Sequence, residues 1–478
     1  MTHPVHAANP DMAASADASL KNETLPATNA GTLSHLLHGP ILPTLIRLAM
    51  PTVAVLLMTT VLSIAETWFV SSQGINAIAA ASLVVPIMML MTMVSNGGIG
   101  GGVSSSIARA RGAGRHEDAQ SLVWHAMVIA LVGGTIFMLA AWLAGRWIYS
   151  TMGGSGESLE QAIVYSNILF AGAIPFWILM LMQSALRGAG NVKVPALIMA
   201  GGVVVGLIIS PALITGWLGL PHMGVAGAGV AQVICSLGSL AVVLGYMRSA
   251  RSNLRLERHP LRRDHFAAIL GIGLISTVNA IMATLSVTAL TAAAGAFGVA
   301  AIAGYGIASR LDMLLIPVMF GFGTAALTLV GTNLGAGNVA RARRAALVNA
   351  LFVAAIVEAL GIVVAIVPNL WVGLFSDSPE VLAVAGHYLR VVAPFYGFMA
   401  INAELYFAGQ GARKIGWPLT AGAIRFGFAV MAGSSVVIAH GSLEHAFLLV
   451  AAGAIMSGSI SLFGFWRVRW DSVTPGKA

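Results

Sequence analysis

A single carboxylate stands near the end of a long apolar stretch close to the start of the chain. Glu66 lies in Ser63-Ile-Ala-Glu-Thr-Trp-Phe-Val-Ser-Ser-Gln-Gly74, which closes an apolar run that begins near Leu48. No basic residue is near it in sequence. Burial favours the neutral form of a carboxyl group, so an acid here can take up a proton and release it when a cationic molecule arrives. The alternative is that Glu66 reaches toward the headgroups at the membrane surface.

Six further ionisable residues, apart from histidines, interrupt the other apolar stretches. An isolated Asp, Lys or Arg at the centre of a membrane helix costs on the order of 2.5–3.5 kcal/mol on insertion scales, so each needs a partner, water or a function. Ion pairs that fix the geometry are one interpretation and a functional site is the other. The residues are Arg310, Asp312, Glu358, Arg390, Glu404 and Arg425. Asp312 joins Glu66 and Thr67 in the predicted cation-coupling site.

The composition places these residues in a membrane protein. Of the 478 residues, 58% are hydrophobic and 9% are charged, whereas a soluble domain has roughly a quarter charged residues. The net charge of +8 comes from short basic runs between apolar stretches, which indicates membrane topology and not a nucleic-acid partner. Cys235 is the one cysteine of the sequence, so no disulfide can form within the chain.

Twelve apolar windows are long enough to cross a bilayer, which requires about 20 residues. They lie near 48–70, 77–104, 119–145, 162–186, 194–218, 224–246, 266–292, 299–328, 345–371, 381–408, 417–438 and 446–466. Basic residues concentrate before the first window and after every even-numbered one. By the positive-inside rule, both termini are then cytoplasmic. We therefore predict a multi-pass protein of a bacterial-type inner membrane.

The chain contains an internal repeat at an offset of about 220 residues. Gly112-Ala-Gly114 matches Gly335-Ala-Gly337, and Ile174-Pro-Phe176 matches Ala393-Pro-Phe395. Each copy holds six spans, so the two copies have the same orientation in the membrane, as in transporters built from parallel repeats. The predicted organisation is a disordered tail at 1–40, a first lobe at 41–247, a linker at 248–265, a second lobe at 266–470 and a tail at 471–478.

Two facing lobes predict a substrate cleft between them. Flexible methionines suit promiscuous binding, which makes Met89 and Met93 candidates. Aligning Pro175 with Pro394 places an amide at the same point of each copy, Gln183 and Asn402. The opposing interpretations are lipid-facing packing for the methionines and hydrogen bonds within a lobe for the amides. The full set assigned to the cleft is Gln183, Asn402, Met89, Met93, Tyr305, Arg310 and Glu404.

Several motifs resemble the multidrug and toxic compound extrusion (MATE) family. In the first lobe they are Leu45-Ile-Arg-Leu-Ala-Met-Pro51, Glu66-Thr-Trp-Phe-Val70 and Gly112-Ala-Gly-Arg115. In the second they are Ala303-Gly-Tyr-Gly-Ile-Ala-Ser-Arg310 and Val330-Gly-Thr-Asn-Leu-Gly-Ala-Gly337. The resemblance implies an all-α fold of twelve transmembrane helices, arranged as two six-helix bundles in a V. It also implies export of lipophilic, often cationic compounds, driven by protons or sodium ions moving inward.

The sequence departs from the family pattern at the residues that bind ions in some members. Glu66 stands where the family commonly has Asp, and Gly206 and Ser210 stand where some prokaryotic members have Asn and Asp in the fifth span. The seventh span, 266–292, lacks the carboxylate of another subgroup. These departures favour protons over sodium.

The sequence thus predicts a proton-coupled antiporter that exports lipophilic or cationic compounds by alternating access, with Glu66 as the coupling residue. Two alternatives stay open, a sodium-coupled drug antiporter and a lipid-linked saccharide flippase of the broader superfamily. An enzyme is not expected, because H-E-x-x-H and G-x-S-x-G motifs are absent from the sequence. We expect no cofactor, no metal site and no nucleic-acid partner. The expected partners of this monomer are small molecules, protons and the lipid bilayer.

Overall fold

The computed structural model describes residues 27–252, 254–437 and 442–470, and all regular structure in these segments is helical. The expectations for residues 1–26 and 471–478 lie outside the described residues. The first bundle is formed by α2 (Ile41–Ser71), α3 (Ile75–Thr92), a π-helical turn (Met93–Ile99), α4 (Gly100–Gly112), α5 (His116–Thr151), α6 (Gly156–Ala171), α7 (Ala173–Gly188), α8 (Lys193–Thr215) and α9 (Val225–Arg248). It is preceded by α1 (Ala27–His38).

The second bundle repeats this arrangement. It is formed by α10 (Arg263–Gly295), α11 (Val299–Gly335), α12 (Val339–Ile366), the short α13 (Asn369–Val372), α14 (Pro379–Val392), a 3₁₀ turn (Ala393–Phe395), α15 (Tyr396–Ala412), α16 (Gly416–Val437) and α17 (Leu443–Arg467). In the described part of the chain, eleven apolar helices are long enough to span a membrane, and α6 and α7, bent by 48° at their junction, form a twelfth span when taken together. The prediction of an all-α protein with twelve spans in two bundles is confirmed.

The repeat is visible in the backbone at the ends of α4 and α11. Each helix is followed by an alanine and then a glycine in the left-handed region, Gly114 with φ +71° and Gly337 with φ +78°. The backbone amide three residues beyond the helix end donates back to the helix in both copies, from Arg115 to the Ala110 carbonyl and from Asn338 to the Asn333 carbonyl. This C-terminal cap occurs in both copies and explains the second glycine of each Gly-Ala-Gly motif, because a side chain is disfavoured at a positive φ.

The other glycine of each motif brings the two bundles together. A Cβ atom on Gly112 would collide with the backbone carbonyl of Thr332, and one on Gly335 with the carbonyl of Arg109. Gly112 and Thr332 are the repeat counterparts of Gly335 and Arg109, so α4 and α11 cross by the same contact made twice. Arg109 adds a hydrogen bond of 2.9 Å from Nη1 to the carbonyl of Gly411 in the second bundle. We call this crossing the basic-end seam, since the basic loops follow it.

The first helix of each bundle packs across the interface. Leu45, Leu48 and Ala49 of α2 belong to the hydrophobic core of the second bundle. Ile269 of α10 belongs to the core of the first. Toward the opposite end, the last hydrogen bond described between the bundles joins the Thr284 hydroxyl to Met93 Sδ, at 3.7 Å. The bundles therefore converge at the basic end and separate at the other, which accounts for the V.

Helix α1 corrects the expectation of a disordered tail over 1–40. Leu36 is 3% exposed and packs into the core of the second bundle, while a Cβ on Gly190 of the first bundle would lie 2.9 Å from its Cδ1. The Leu36 carbonyl accepts a hydrogen bond from Asn333 Nδ2 at 3.1 Å, and the Gly39 carbonyl accepts one from Arg341 Nη2 at 2.5 Å. Helix α1 is thus a strap over the basic-end seam.

The contact at Gly112 gives the first prediction. In Gly112→Leu, the added side chain meets the Thr332 carbonyl, and overpacking of this kind typically costs about 1–3 kcal/mol. We expect the basic end to open, seen as a longer distance between spin labels on Arg115→Cys and Arg344→Cys in a Cys235→Ser background. Gly271→Leu is the matched control, since nothing lies within 4 Å of a Cβ there. An unchanged distance in Gly112→Leu would contradict this account of the seam.

Candidate functional site

Glu66 lies within the first bundle, on the half of α2 that is distant from the seam. Its side chain is half-buried and faces Ser210 of α8, with Tyr165 of α6 and Cys235 of α9 close enough to interact with it electrostatically. The Ser210 hydroxyl is fully buried and lacks a hydrogen bond of normal geometry. In the described residues Glu66 has no salt bridge, so its neighbours are neutral groups able to share a proton with it.

Thr67 does not join this group. It is exposed, and its hydroxyl donates to the Ser63 carbonyl of its own helix at 2.8 Å. Consecutive residues of a helix point in different directions, which is why a neighbour in sequence is not a neighbour at the site. The structure therefore places Ser210, and not Thr67, beside Glu66.

Asp312 forms a second acidic group inside the second bundle. Its Oδ2 accepts a hydrogen bond from the Tyr388 hydroxyl at 2.9 Å, and its Oδ1 accepts one from the Tyr396 hydroxyl. The Tyr305 ring packs edge-on against the Tyr388 ring, with centroids 5.5 Å apart. Arg425 of α16 interacts with the carboxylate electrostatically without approaching to salt-bridge distance. We call Asp312, these three tyrosines and Arg425 the tyrosine cluster.

The cluster moves Tyr305 away from its predicted place in the substrate cleft. Tyr305 is 4% exposed and lies within the second bundle. Sequence reasoning missed Tyr388 and Tyr396, because only the fold brings three of the seven tyrosines of the chain together at Asp312. Asp312 accepts from two hydroxyl donors, which stabilise its ionised, negatively charged form.

The remaining charged residues within the spans do not form the expected ion pairs. Neither Glu66 nor any of the six other ionisable residues within the spans has a salt bridge in the described part of the chain. Glu404 is fully buried and accepts a hydrogen bond from Asn349 Nδ2 of its own bundle at 2.5 Å, so the structure places it inside the second bundle. Glu358 accepts from the Gly397 amide at 2.6 Å. Arg310 is exposed, and its guanidinium lies over the Phe375 ring, 5.6 Å from the centroid.

The two methionines lie where the bundles face each other. Met93 is 37% exposed and contacts Thr284 of the second bundle. Met89 is 51% exposed and lies one turn earlier on the same helix face. This placement fits their assignment to a cleft that opens away from the seam.

The two amides do not line that cleft. Gln183 is fully buried and neither amide atom has a hydrogen-bond partner, and Asn402 accepts from the Ser461 hydroxyl at 3.0 Å inside its own bundle. Nor are they repeat counterparts. Gly190 follows α7 and Arg413 follows α15, and both residues are in the left-handed region. They are 223 residues apart, the same offset that relates Gly112 to Gly335. This offset pairs Gln183 with Tyr406. Pro175 lies inside α7 whereas Pro394 lies in a 3₁₀ turn before α15, so the proline alignment is wrong.

The corrected offset pairs Arg187 with Gln410, two residues that sequence reasoning left unassigned. Both side chains are almost fully buried, at 4% and 0% exposed. Gln410 Nε2 donates to the Gly97 carbonyl of the first bundle at 3.3 Å, and the Thr328 hydroxyl of the second bundle donates to the Arg187 carbonyl at 3.1 Å. A guanidinium and an amide therefore occupy equivalent positions at the centre of the interface.

Comparisons with known proteins give one consistent result. A family model described as MatE matches residues 51–212 and 276–435. The chain is 25% identical over 371 residues to a protein named FAD transporter from Shewanella oneidensis, covering 77% of this chain and 81% of that one. It is 23% identical over 441 residues to a probable multidrug resistance protein NorM from Thermotoga maritima, covering 89% and 92%.

Solved structures share the fold. One is described as the outward-facing conformation of a multidrug resistance MATE family transporter of the MOP superfamily, with a TM-score of 0.82 at 24% identity over 92% of this chain and 98% of that chain. Another, from Pyrococcus furiosus, is described by a reverse polarity of its binding pocket, with a TM-score of 0.82 at 23% identity over 93% and 98%. Because the family model matches well over half of the sequence and the two-bundle fold agrees with it, the chain belongs to the MatE family of multidrug and toxic compound extrusion transporters.

Proposed function

We propose that this chain exports small amphiphilic molecules across a bacterial inner membrane in exchange for protons, and that Glu66 carries the proton. The observation that supports this most directly is a half-buried carboxylate with hydroxyl and thiol neighbours and no salt bridge among the described residues. Such a group is neutral when protonated and charged when ionised. Its burial makes the difference in free energy between the two forms large. A cationic substrate and a proton then compete for the same negative charge.

Sodium is a weaker candidate for this site. A bare sodium ion requires several oxygen ligands. Beside Glu66 the described neighbours supply the hydroxyls of Ser210 and Tyr165, while Thr67 binds its own helix. A proton requires one acceptor only. The proposal is therefore proton antiport, with Asp312 and its tyrosines as a second coupling group in the other bundle.

Alternating access follows from the seam. The positive-inside rule places the basic end in the cytoplasm, with both termini on that side. The described conformation, closed at the basic end, is then the one open to the outside. Export requires the contacts of Gly112 and Gly335 to separate and the opposite ends to close, a rocking of one repeat against the other. The proposal needs neither an enzyme activity nor a second copy of the chain.

Two substrate classes deserve a direct comparison. The relatives named multidrug resistance proteins favour lipophilic cations. The relative named FAD transporter suggests instead a flavin that carries phosphate groups, and the buried arginine between the bundles favours an anion. Both classes are amphiphilic, and both can be tested in the same vesicles.

The first functional prediction concerns Glu66. In proteoliposomes with an imposed pH gradient, Glu66→Gln should lower the transport of a fluorescent cation such as ethidium at least tenfold, because the amide cannot carry the proton. Exchange of labelled for unlabelled ethidium without a gradient should also fall, since the amide lacks the negative charge for which the cation and the proton compete. Glu157→Gln is the control, an exposed carboxylate of the same bundle. Full pH-driven transport in Glu66→Gln, or transport driven by sodium alone, would contradict the proposal.

A second prediction separates the tyrosine cluster from Glu66. Asp312→Asn keeps the volume of the side chain and its place between Tyr388 and Tyr396, but it removes the charge. If the second bundle takes part in coupling, pH-driven transport should fall severalfold while gradient-free exchange is retained. Glu358→Gln provides the comparison, as a half-buried acid of the same bundle bound to a backbone amide. Equal effects of the two variants on both assays would assign Asp312 a structural role only.

A further inference from the structure

A buried guanidinium at the bundle interface is incompletely satisfied. Arg187 is 4% exposed, and its Nη2 donates to Asn96 Oδ1 at 2.5 Å and to Ser184 Oγ at 2.8 Å. Its Nε has no hydrogen-bond partner. Among the residues that the structure describes, no carboxylate lies within salt-bridge distance of it. A full positive charge is therefore held by two neutral acceptors, which is a costly arrangement in a membrane protein.

Two other arginines of the first bundle, one buried and one half-buried, show that this arrangement is not general. Arg111 is also 4% exposed, and its Nη1 donates to the Ala189 carbonyl at 3.1 Å. Arg109 donates to the carbonyls of Gly411 and Gln410 across the seam. Both bind backbone carbonyls and hold helix ends together. Arg187 makes side-chain contacts only, and those contacts orient its guanidinium.

The guanidinium borders a cleft formed by both bundles. The cleft encloses about 280 Å³, the open space at its mouth included, and its polar residues are Arg187, Asn96 and Thr52. Val55 of α2, Met199 of α8 and Phe320 of α11 form apolar walls. Phe320 comes from the second bundle and the other residues from the first, so movement of the bundles changes the cleft.

The charge is specific to one half of the repeat. Gln410 occupies the equivalent position of the second bundle, and its Oε1 also lacks a hydrogen-bond partner. A hydrogen bond that only joins the two bundles requires no charge, because the neutral amide of Gln410 donates to the Gly97 carbonyl. The arginine adds a positive charge and a planar set of donors, which match a carboxylate or phosphate.

We propose that Arg187, oriented by Asn96 and Ser184, binds the anionic group of an amphiphilic substrate, a phosphate or carboxylate, as the substrate passes between the bundles. This inference rests on the proposed export function and adds a recognition element to it. The space is smaller than the pockets of roughly 300–1,000 Å³ that hold drug-sized ligands, so in this proposal the anionic group enters it as the bundles move apart. The rest of the molecule extends toward Met93 and Met89.

The test compares two probes with the same ring system and different charge. Riboflavin is neutral, and flavin mononucleotide (FMN) adds one phosphate. Their binding to the full chain in phosphatidylcholine nanodiscs is measured at equilibrium by flavin fluorescence. We expect Arg187→Gln to raise the Kd for FMN roughly tenfold or more, the loss of a charge-assisted contact, and to leave the Kd for riboflavin unchanged. Inorganic pyrophosphate should compete with FMN in the native chain.

The matched control is Arg111→Gln, which removes an equally buried arginine outside the cleft and should not change the preference for FMN. If Arg187→Gln does not yield monodisperse protein, Arg187→Lys decides, because lysine keeps the charge but loses the planar donors and should weaken FMN binding to a smaller extent. Absent FMN binding in the native chain, or equal losses for FMN and riboflavin in both Arg187 variants, would overturn the inference.

Phosphatidylglycerol added to the nanodiscs tests the other source of a phosphate, a lipid headgroup. Arg187-dependent binding of this lipid without binding of FMN would overturn the proposal of a soluble amphiphile. The assay uses no ion gradient. FMN binding that depends on Arg187 in a chain that transports nothing under a pH gradient would therefore leave this inference standing and refute the proton-coupled function. Transport driven by a pH gradient in a chain that does not bind FMN would instead overturn this inference and leave the proton-coupled function standing.

Discussion

The close crossing of α4 and α11 is the constraint on which the rest of the structure depends. Two glycines, one in each copy of the repeat, let the helix backbones approach within a distance that no side chain permits. Small residues allow such approach in membranes, where packing replaces the hydrophobic effect as the force between helices. Because the same contact occurs twice, the two bundles meet symmetrically at this point, and their other ends are free to separate.

The acidic groups are kept apart from this crossing. Glu66 lies inside the first bundle and the tyrosine cluster inside the second, whereas arginine and amide side chains occupy the centre of the interface. Among the described residues, Glu66 and Asp312 each have hydroxyl neighbours and no cation at salt-bridge distance. Protonation can thus change the packing within a bundle without breaking an ion pair between bundles. The positive charge of Arg187 lies at the interface, where a substrate would pass between the bundles.

Hydropathy was sufficient to predict the twelve spans, because a bilayer allows few ways of satisfying the backbone. Matching motifs predicted the repeat, and the resemblance to a known family predicted the two bundles. The isolated position of Glu66 also identified a group with unusual surroundings. Contacts between distant residues were not predictable in the same way. Tyr388 and Tyr396 reach Asp312 from 76 and 84 residues away. The amide pairing failed because the chain bends differently before α7 and before α15, so an alignment anchored at the prolines shifts the register.

Helix α1 and the strap it makes have a consequence for how the protein is assembled. The Leu36 carbonyl binds Asn333, which follows it by 297 residues, and the first half of α2 packs into a core supplied almost entirely by the second bundle. When the ribosome has delivered the first six spans to the membrane, these earliest segments still lack the surfaces that they bury in the finished protein. Helix α1 and the first half of α2 can therefore pack in their native places only after the second bundle has been inserted. The native interface closes when nearly the whole polypeptide is in the membrane.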